Sequence, residues 1–435
     1  MQKSRASSIS LSELFSVWLR IGLLSFGGPT AQIAMMHKEL VEDRDWFTEQ
    51  EFLDALSFCM LLPGPEAMQL AAYSGWKVAG TRGGLIAGLL FILPGATVIM
   101  ALATLYALFG EQPLAQVLFT GVKATVLIIV LQALMRLSKK ALQNRAQWLF
   151  AFCSFVALFA LNLPFPLIIM IAGLVGYLGF LGGAAHQSTA PQSTFKGSLK
   201  TIGQTATLWL AIWLLPLIGL IVLAGPGDLF SQLGLFASKL AVVTFGGAYA
   251  VLSYMAQDVV QQFGWLNAGE MVDGLGLAET TPGPLILVTQ FVGYLAAYKN
   301  AGWDQALLAG MAGAIVVLWC TFTPCFLWIF SGAPLLDQLN HHPKIRRALG
   351  GITTAVVGVI LNLSLWFAFQ VFFTQKLVLD LGITKLSLPE PASLDPKVLG
   401  LSLLSAVMLL ALKWSIVRTL GLSALLAYGL HTAGF

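Results

Sequence analysis

The chain has 435 residues, of which 57% are hydrophobic and only 10% are charged, and its mean hydropathy is +0.81. A soluble domain carries about 25% charged residues. This composition therefore excludes a water-facing fold, and lipid must be the main solvent. The formal net charge of +4 is small and spread over loops, which excludes nucleic acid as an expected partner. The apolar stretches are long rather than alternating, which favours helices over a barrel.

Long apolar segments follow one another along the whole chain. Each membrane-spanning helix needs roughly 20 apolar residues. The segments at 147–181 and 397–432 each leave open a pair of helices or one bent element. We expect an all-α polytopic membrane protein with about 10–13 transmembrane segments, at 11–36, 52–75, 85–109, 114–135, 147–162, 164–181, 207–224, 229–256, 271–297, 304–330, 348–374, 397–412 and 415–432.

An internal repeat organises these segments. The motifs Phe26-Gly27-Gly28 and Pro63-Gly64-Pro65 recur 219 residues later as Phe245-Gly246-Gly247 and Pro282-Gly283-Pro284. Asp54 and Asp273 keep the same shift, as do the cations Arg20 and Lys239. Self-similarity at a fixed period indicates duplicated structural units. We expect one transmembrane repeat at 1–183 and another at 229–435. Between them, 184–228 supplies a polar linker and one connecting transmembrane helix.

The distribution of Lys and Arg orients the two repeats. With a cytoplasmic N-terminus, the positive-inside rule places the basic loops near 77–82, 136–145, 196–200, 344–347 and 413–418 inside. Loop 257–270 then falls inside as well, although it carries no Lys or Arg. An odd number of crossings before the second repeat makes the two repeats inverted. Inverted repeats are typical of secondary transporters.

Both motif pairs interrupt apolar segments with glycine and proline. Proline removes a backbone donor, and glycine permits positive φ, so each motif predicts a broken helix. Such breaks are tolerated at membrane depth only where protein or a water-filled cavity covers them. A helix that restarts after a break turns unpaired N–H groups and its positive dipole end toward the cavity, which favours an anion. The alternative is a kink that serves packing alone.

Two repeat-equivalent cations lie close to the breaks. Arg20 and Lys239 each precede a Phe-Gly-Gly motif by six residues within an apolar segment. An unpaired cation in the bilayer costs about 3 kcal/mol or more, so each needs a partner. A substrate dianion held between the repeats is one candidate. Snorkelling to the interface and an ion pair with Glu13 or another carboxylate are the alternatives. Beyond an insertion of about 11 residues near 299–303 the repeat shift becomes 230, as for Gly121 and Gly351. Thr353 then occupies the repeat position of Lys123, which makes the case for Lys123 weaker.

Acidic and neutral polar residues flank the breaks. Glu66 follows Pro65, and Glu279 lies three residues before Pro282, so both are candidates for proton coupling. A helix cap and a structural acid are the alternatives. For Asp54 and Asp273 the interpretation as N-terminal helix charges is favoured. Weak neutral donor candidates are Gln69, Tyr73, Thr280, Thr281, Gln290 and Tyr294. The scattered His and Cys residues predict neither a metal centre nor a cofactor.

At these motifs the sequence closely resembles the chromate ion transporter family in its long, two-repeat form. The resemblance covers nearly the whole chain, although Ala248 replaces the proline that follows Gly28 in the first copy. It implies export of chromate from the bacterial cytoplasm and hence chromate resistance. It also implies a multi-pass protein of the inner membrane. The residues expected to bind substrate are Arg20, Phe26, Gly27, Gly28, Pro29, Pro63, Gly64, Pro65, Lys239, Phe245, Gly246, Gly247, Thr281, Pro282, Gly283 and Pro284.

Three rival functions stay open from the residues alone: a carrier of another oxyanion, a membrane-embedded enzyme, and an ion channel, which would show far higher turnover and no counter-ion coupling. Sulfate has the shape and charge of chromate, so a carrier for sulfate or another oxyanion is the first alternative. A membrane-embedded enzyme is the second, but the sequence offers no nucleophile with a base and no metal set for it. No nucleotide-binding motif of the G-x-x-x-x-G-K-[ST] type is present, so ATP is not expected to drive transport directly. A homodimer is conceivable.

Overall fold

A computed structural model describes residues 9–182, 199–245, 248–335, 343–380 and 385–434. Most of the polar linker predicted at 184–200 lies outside these ranges. The first half of the described chain contains α1 (Leu11–Leu24), α2 (Gly28–His37), α3 (Glu49–Cys59), α4 (Glu66–Phe109), α5 (Pro113–Ala141), α6 (Arg145–Phe159) and α7 (Phe165–Leu178). The second half contains α8 (Leu199–Ala224), α9 (Leu229–Val243), α10 (Ala248–Gln257), α11 (Ala268–Thr280), α12 (Val288–Asn300), α13 (Ala306–Gly332), α14 (Pro343–Phe372), α15 (Pro396–Ala406) and α16 (Ile416–Thr432).

The chain is an all-α, multi-pass membrane protein, as its composition predicts. Within the described residues, five helices are long and apolar enough to cross a membrane: α4, α5, α8 (from Lys200), α13 and α14. One short β-hairpin departs from the helical pattern, with β1 (Lys376–Asp380) pairing antiparallel with β2 (Lys385–Pro389). It lies in the polar stretch between α14 and α15, where no apolar segment is predicted.

Helix α4 is interrupted, so it does not run straight along its 44 residues. Gly80 has φ +62° and ψ −157°, and Ala79 before it is also non-helical. The chain turns back there, because a Cβ on Gly84 would lie 2.9 Å from the carbonyl oxygen of Ala72. Likewise, a Cβ on Gly88 would lie 3.3 Å from the side chain of Met68. The first part of α4 thus packs against its second part, with glycines at the contact.

The chain packs into two units, and each unit takes segments from both repeats. The first unit comprises Met1–Thr104, Ala185–Ala248 and Thr281–Arg346. The second comprises Leu105–Ala184, Tyr249–Thr280 and Arg347–Phe435. Consecutive halves of a broken segment in the second repeat, such as α9 and α10, are therefore assigned to different units.

One detail of the predicted sidedness is corrected inside the second unit. Gly176 of α7 packs against the chain at Arg347, near the start of α14. A cavity of about 520 Å³ lies toward the other end of α14, where Trp366 and Gln370 line it together with Gln257, Gln261 and Ala268. Loop 257–270 therefore lies at the opposite end of α14 from Arg347. Its lack of Lys and Arg agrees with that placement under the positive-inside rule.

Candidate functional site

The first broken segment is a helical hairpin. Gly27 and Gly28 have φ of +92° and +76°, in the left-handed region that glycine adopts readily. Arg20 Nε lies 3.5 Å from Glu39 Oε1. In one continuous helix, 1.5 Å per residue would put these positions about 28 Å apart. The chain therefore reverses at 25–27, and α1 and α2 are its two arms.

The second broken segment reverses in the same way. It joins α3 to the start of α4 through 60–65, where Gly64 has φ +121°. Lys77 Nζ lies 2.8 Å from Glu51 Oε1, so the two ends of this hairpin meet. At its start, Thr48 and Glu51 form a reciprocal capping box on α3. The break is thus the tip of a helical hairpin whose first and last residues lie next to each other.

Reciprocal hydrogen bonds join the breaks of the two repeats within the first unit. The N–H of Gly64 donates to the carbonyl of Thr244 at 2.9 Å, and the N–H of Gly283 donates to the carbonyl of Ser25 at 3.0 Å. The two bonds connect repeat-equivalent positions. The prolines on either side of Gly64 and Gly283 have no N–H. Each Pro-Gly-Pro motif therefore uses its only amide to hold the other repeat.

The acceptor residues of these bonds are themselves fixed by an equivalent bond. The hydroxyl of Ser25 donates to the carbonyl of Ile21, and the hydroxyl of Thr244 donates to that of Leu240. Both residues are buried. Each hydroxyl donates within the last turn of its own helix. The backbone carbonyl of the same residue, Ser25 or Thr244, then accepts from the Pro-Gly-Pro motif of the other repeat. We call this set, Ser25, Gly64, Thr244 and Gly283, the break junction.

Two buried carboxamides satisfy further carbonyls at the break junction. Gln32 Nε2 donates to the carbonyl of Gly283 at 2.5 Å and to that of Ser25 at 3.3 Å. Gln69 Nε2 donates to the carbonyl of Pro63 at 2.6 Å. The Oε1 atoms of both side chains are buried and have no hydrogen-bond partner among the described residues. Sequence reasoning missed Gln32 because Val251 occupies its repeat position, which removes the signal of duplication.

Helix starts at the breaks lack side-chain caps. Helix α2 begins at Gly28 after the left-handed Gly27, with Pro29 in its first turn and no capping side chain. The 3₁₀ turn Leu285–Leu287 follows Pro284, also without a capping side chain. Exposed N–H groups and the positive end of the dipole at such a start favour an anion. Thr281, Pro282, Gly283 and Pro284 are all buried, whereas Gly246 and Gly247 lie outside the described residues.

Both predicted cations are exposed, whereas the break junction is buried. The Arg20 side chain is 61% exposed and pairs with Glu39, which is 8% exposed and also binds Arg44. Lys239 is exposed, on a face of α9 that its buried neighbours Ser238 and Leu240 do not share. Of the partners expected for Arg20, the structure shows a carboxylate, and that carboxylate is Glu39 rather than Glu13. A role for either cation in binding stays a prediction.

The two predicted proton carriers differ in their surroundings. Glu66 is the first residue of α4 and is half-buried. Glu279 is buried in the second unit, where its Oε1 accepts a hydrogen bond from the Tyr249 hydroxyl at 2.8 Å. Its Oε2 is buried and has no partner among the described residues. In the same described ranges, His, Cys, Asp and Glu nowhere form a group of three suited to a metal.

Comparison with known proteins identifies the family. The family model for chromate transporters matches residues 12–177 and 231–429, which are the two repeats. The chromate transport protein of Pseudomonas aeruginosa is 32% identical over 81% of this chain and 80% of its own length. That of Cupriavidus metallidurans is 30% identical over 82% of each chain. A probable chromate transport protein of Synechococcus elongatus is 30% identical over 81% of this chain and 83% of its own.

No solved structure matches the chain. The two matched regions contain both Phe-Gly-Gly motifs and both Pro-Gly-Pro motifs, so the match includes the segments that form the break junction. Together with the duplicated, broken helices, these matches show that the chain belongs to the chromate transporter family.

Proposed function

We propose that this protein exports chromate from the bacterial cytoplasm across the inner membrane by alternating access, and that it thereby confers chromate resistance. Family membership supports transport of chromate. The observation that carries the mechanism is the break junction, where two amide-to-carbonyl bonds between equivalent residues join the repeats. Discontinuous helices at a repeat interface are where secondary transporters place their substrate sites.

The charge of chromate supports the direction. Moving a dianion out of a negative cytoplasm is favoured by about 4.6 kcal/mol per 100 mV, at about 2.3 per charge. Export can therefore run on the membrane potential, alone or with proton exchange. Uptake of a dianion would be uphill and would need several coupled cations. The positive-inside distribution supports a cytoplasmic N-terminus and inverted repeats.

In this proposal the oxyanion binds beside the break junction. The uncapped starts at Gly28 and Leu285 supply N–H donors, and Thr281 supplies a hydroxyl. The exposed Arg20 and Lys239 attract the dianion along its path. Binding of the dianion competes with Glu39 for Arg20. The half-buried Glu66 and the buried Glu279 are the candidates for carrying a coupled proton, and a homodimer is the proposed assembly.

The first experiment tests the substrate. The purified protein is reconstituted into liposomes, and chromate entry under an inside-positive potential is measured with and without excess sulfate. Saturable chromate flux that sulfate only partly reduces supports a chromate carrier. Flux that sulfate displaces completely would make the protein a general oxyanion carrier for which chromate is one substrate. Liposomes without protein give the background rate.

The second experiment tests the cations. We expect Arg20→Gln and Lys239→Gln each to raise the chromate concentration needed for half-maximal flux, because each removes one positive charge from the path of a dianion. Arg82→Gln and Lys140→Gln are the matched controls, since both residues are exposed cations outside the proposed path. Unchanged kinetics in Arg20→Gln and Lys239→Gln would remove these residues from the site while leaving the transport proposal intact.

A further inference from the structure

A buried cluster in the second unit joins three helices. Lys123 Nζ on α5 lies 3.2 Å from Asp273 Oδ2 on α11. The Tyr106 hydroxyl on α4 donates to the same oxygen at 2.8 Å. The Asp273 side chain is 1% exposed, and that of Lys123 is 22% exposed. We call Tyr106, Lys123 and Asp273 the Asp273 cluster.

The two carboxylate oxygens of Asp273 differ in their contacts. Asp273 Oδ1 is buried and has no hydrogen-bond partner among the described residues. Among the described residues, Lys123, Tyr106 and Glu270 act on Asp273 electrostatically, and Lys123 is the cation of these three. A buried carboxylate with a single cation and an open oxygen can accept a proton there without losing its existing contacts first.

Helix α11 carries two such carboxylates. Asp273 and Glu279 each accept a hydrogen bond from one tyrosine, Tyr106 and Tyr249, and each keeps one buried oxygen without a partner among the described residues. Ionisable residues inside a membrane are costly, and chains of carboxylates mark proton relays in transporters. The helix ends at Thr280, two residues before Pro282 of the second Pro-Gly-Pro.

The first repeat shows that the duplicated fold does not require this arrangement. Asp54, the repeat equivalent of Asp273, is only half-buried, and its Oδ1 accepts a hydrogen bond from Gln50 at 3.0 Å. Thr353 stands at the repeat position of Lys123. The ion pair joins Lys123 of the first repeat to Asp273 of the second, and the repeat-equivalent residues Asp54 and Thr353 cannot form a matching pair. A requirement of helix packing common to both repeats would have kept an acid and a cation at both sets of positions.

We propose that Asp273 is a proton-binding residue of the transport cycle, with Lys123 and Tyr106 holding its ionised form. A proton that binds Asp273 neutralises the carboxylate and releases the Lys123 ammonium, and loss of that proton restores the ion pair. Chromate export is thereby coupled to proton entry. This inference rests on the proposed function, and it adds a residue that the candidates Glu66 and Glu279 did not include.

The test compares two kinds of flux in proteoliposomes. Net chromate transport driven by a pH gradient requires a proton to bind and leave, whereas exchange of chromate for labelled chromate at equal pH does not. We expect Asp273→Asn to retain exchange and to reduce gradient-driven flux to the rate seen without a gradient. Asp54→Asn is the matched control and should retain both. A pH-sensitive dye inside the vesicles reports proton movement independently of chromate.

A second variant separates proton binding from a structural role. Asp273→Asn leaves Lys123 unpaired, whereas Asp273→Asn combined with Lys123→Gln removes both charges. We expect the double variant to fold and to exchange chromate, and we expect its net chromate flux to be the same with and without a pH gradient. Gradient-driven chromate flux that persists in the double variant would overturn the proposal. Loss of chromate exchange in a double variant that is still folded would also overturn it. Absence of any chromate flux in the wild-type protein would instead contradict the proposed function.

Discussion

The amide of Gly64 donates to the carbonyl of Thr244 at 2.9 Å, although 180 positions separate the two residues along the chain. The equivalent bond from Gly283 to Ser25 is 3.0 Å long. Together the two bonds make each repeat depend on the other. The prolines beside each glycine have no N–H, so the carbonyls of Ser25 and Thr244 each accept from the glycine of the opposite repeat. In lipid an unsatisfied backbone group costs several kcal/mol. The two breaks therefore form as a pair, which explains why both motifs are present in both repeats.

Substitution of the central glycines should disrupt the break junction. Gly64 and Gly283 have φ of +121° and +86°. A Cβ would lie 2.8 Å from Gln69 Nε2 in the first case and 3.1 Å from the Phe91 carbonyl oxygen in the second. We expect Gly64→Ala and Gly283→Ala each to cost about 1–3 kcal/mol of backbone strain and to lower chromate flux.

Thermal unfolding in detergent and flux in liposomes check this pair. The control is Gly203→Ala on α8, where a Cβ would meet nothing within 4 Å. It should leave the unfolding temperature and the flux of the protein unchanged. Wild-type stability and flux in Gly64→Ala and Gly283→Ala would show that the breaks tolerate ordinary backbone geometry.

Gln32 should be needed for stability at the same place. Its amide donates to two carbonyls that no helix satisfies, those of Ser25 and Gly283. In Gln32→Leu the Ser25 carbonyl keeps the Gly283 N–H as a donor, but the buried Gly283 carbonyl loses the donor that Gln32 supplies. A buried acceptor left without a donor costs about 1–3 kcal/mol, so this substitution should lower the unfolding temperature. Gln232→Leu is the control, because Gln232 makes one exposed bond to the Gly227 carbonyl. Equal effects of the two substitutions would contradict the assigned role of Gln32.

Arg20 and Glu39 should differ in what their loss affects. Glu39 is buried and holds both Arg20 and Arg44, whereas the Arg20 side chain is 61% exposed. We therefore expect Glu39→Gln to destabilise the protein more than Arg20→Gln. An exposed ion pair contributes only about 0–1 kcal/mol. Unfolding temperature and chromate flux are measured for both variants. A large loss of stability in Arg20→Gln would favour a purely structural ion pair over a role in binding.

The contribution of His37, at the start of the loop between α2 and α3, to the stability of the folded protein should fall as the pH rises. The Glu49 carboxylate lies 2.6 Å from His37 Nε2, and this hydrogen bond, with Glu42 on the other nitrogen, raises the pKa of His37 above its usual value. Protonated His37 therefore stabilises the folded state. That contribution is complete below about pH 6.5, and it is lost as the pH rises through the higher folded-state pKa.

Unfolding temperatures between pH 5.5 and 8.5 test this dependence. The difference between wild-type protein and His37→Gln should be largest at the acid end and should shrink toward pH 8.5. Surface pairs of this kind contribute up to about 1 kcal/mol. A difference that grows with pH would show that neutral His37 is the form that stabilises the loop.

Residue type and duplication predicted the membrane class, the two repeats and the positions of the breaks. Glycine and proline act on their own backbone, so their effect can be inferred locally. The partners of the breaks could not be inferred, because Gly64 and Thr244 meet only after distant segments pack. Gln32 gave no signal, since it is not duplicated. Charge counting assigned loop 257–270 to the same side as Arg347, whereas residues of this loop line a cavity toward the other end of α14.

Chromate flux under a fixed membrane potential tests the central claim most directly. Wild-type protein in liposomes should give an initial rate of chromate entry that saturates with concentration and rises as the inside is made more positive. Gly64→Ala and Gly283→Ala should each lower that rate in protein that is still folded. A wild-type rate no higher than that of protein-free liposomes would contradict the account. A rate that changes neither with the membrane potential nor with either substitution would also contradict it.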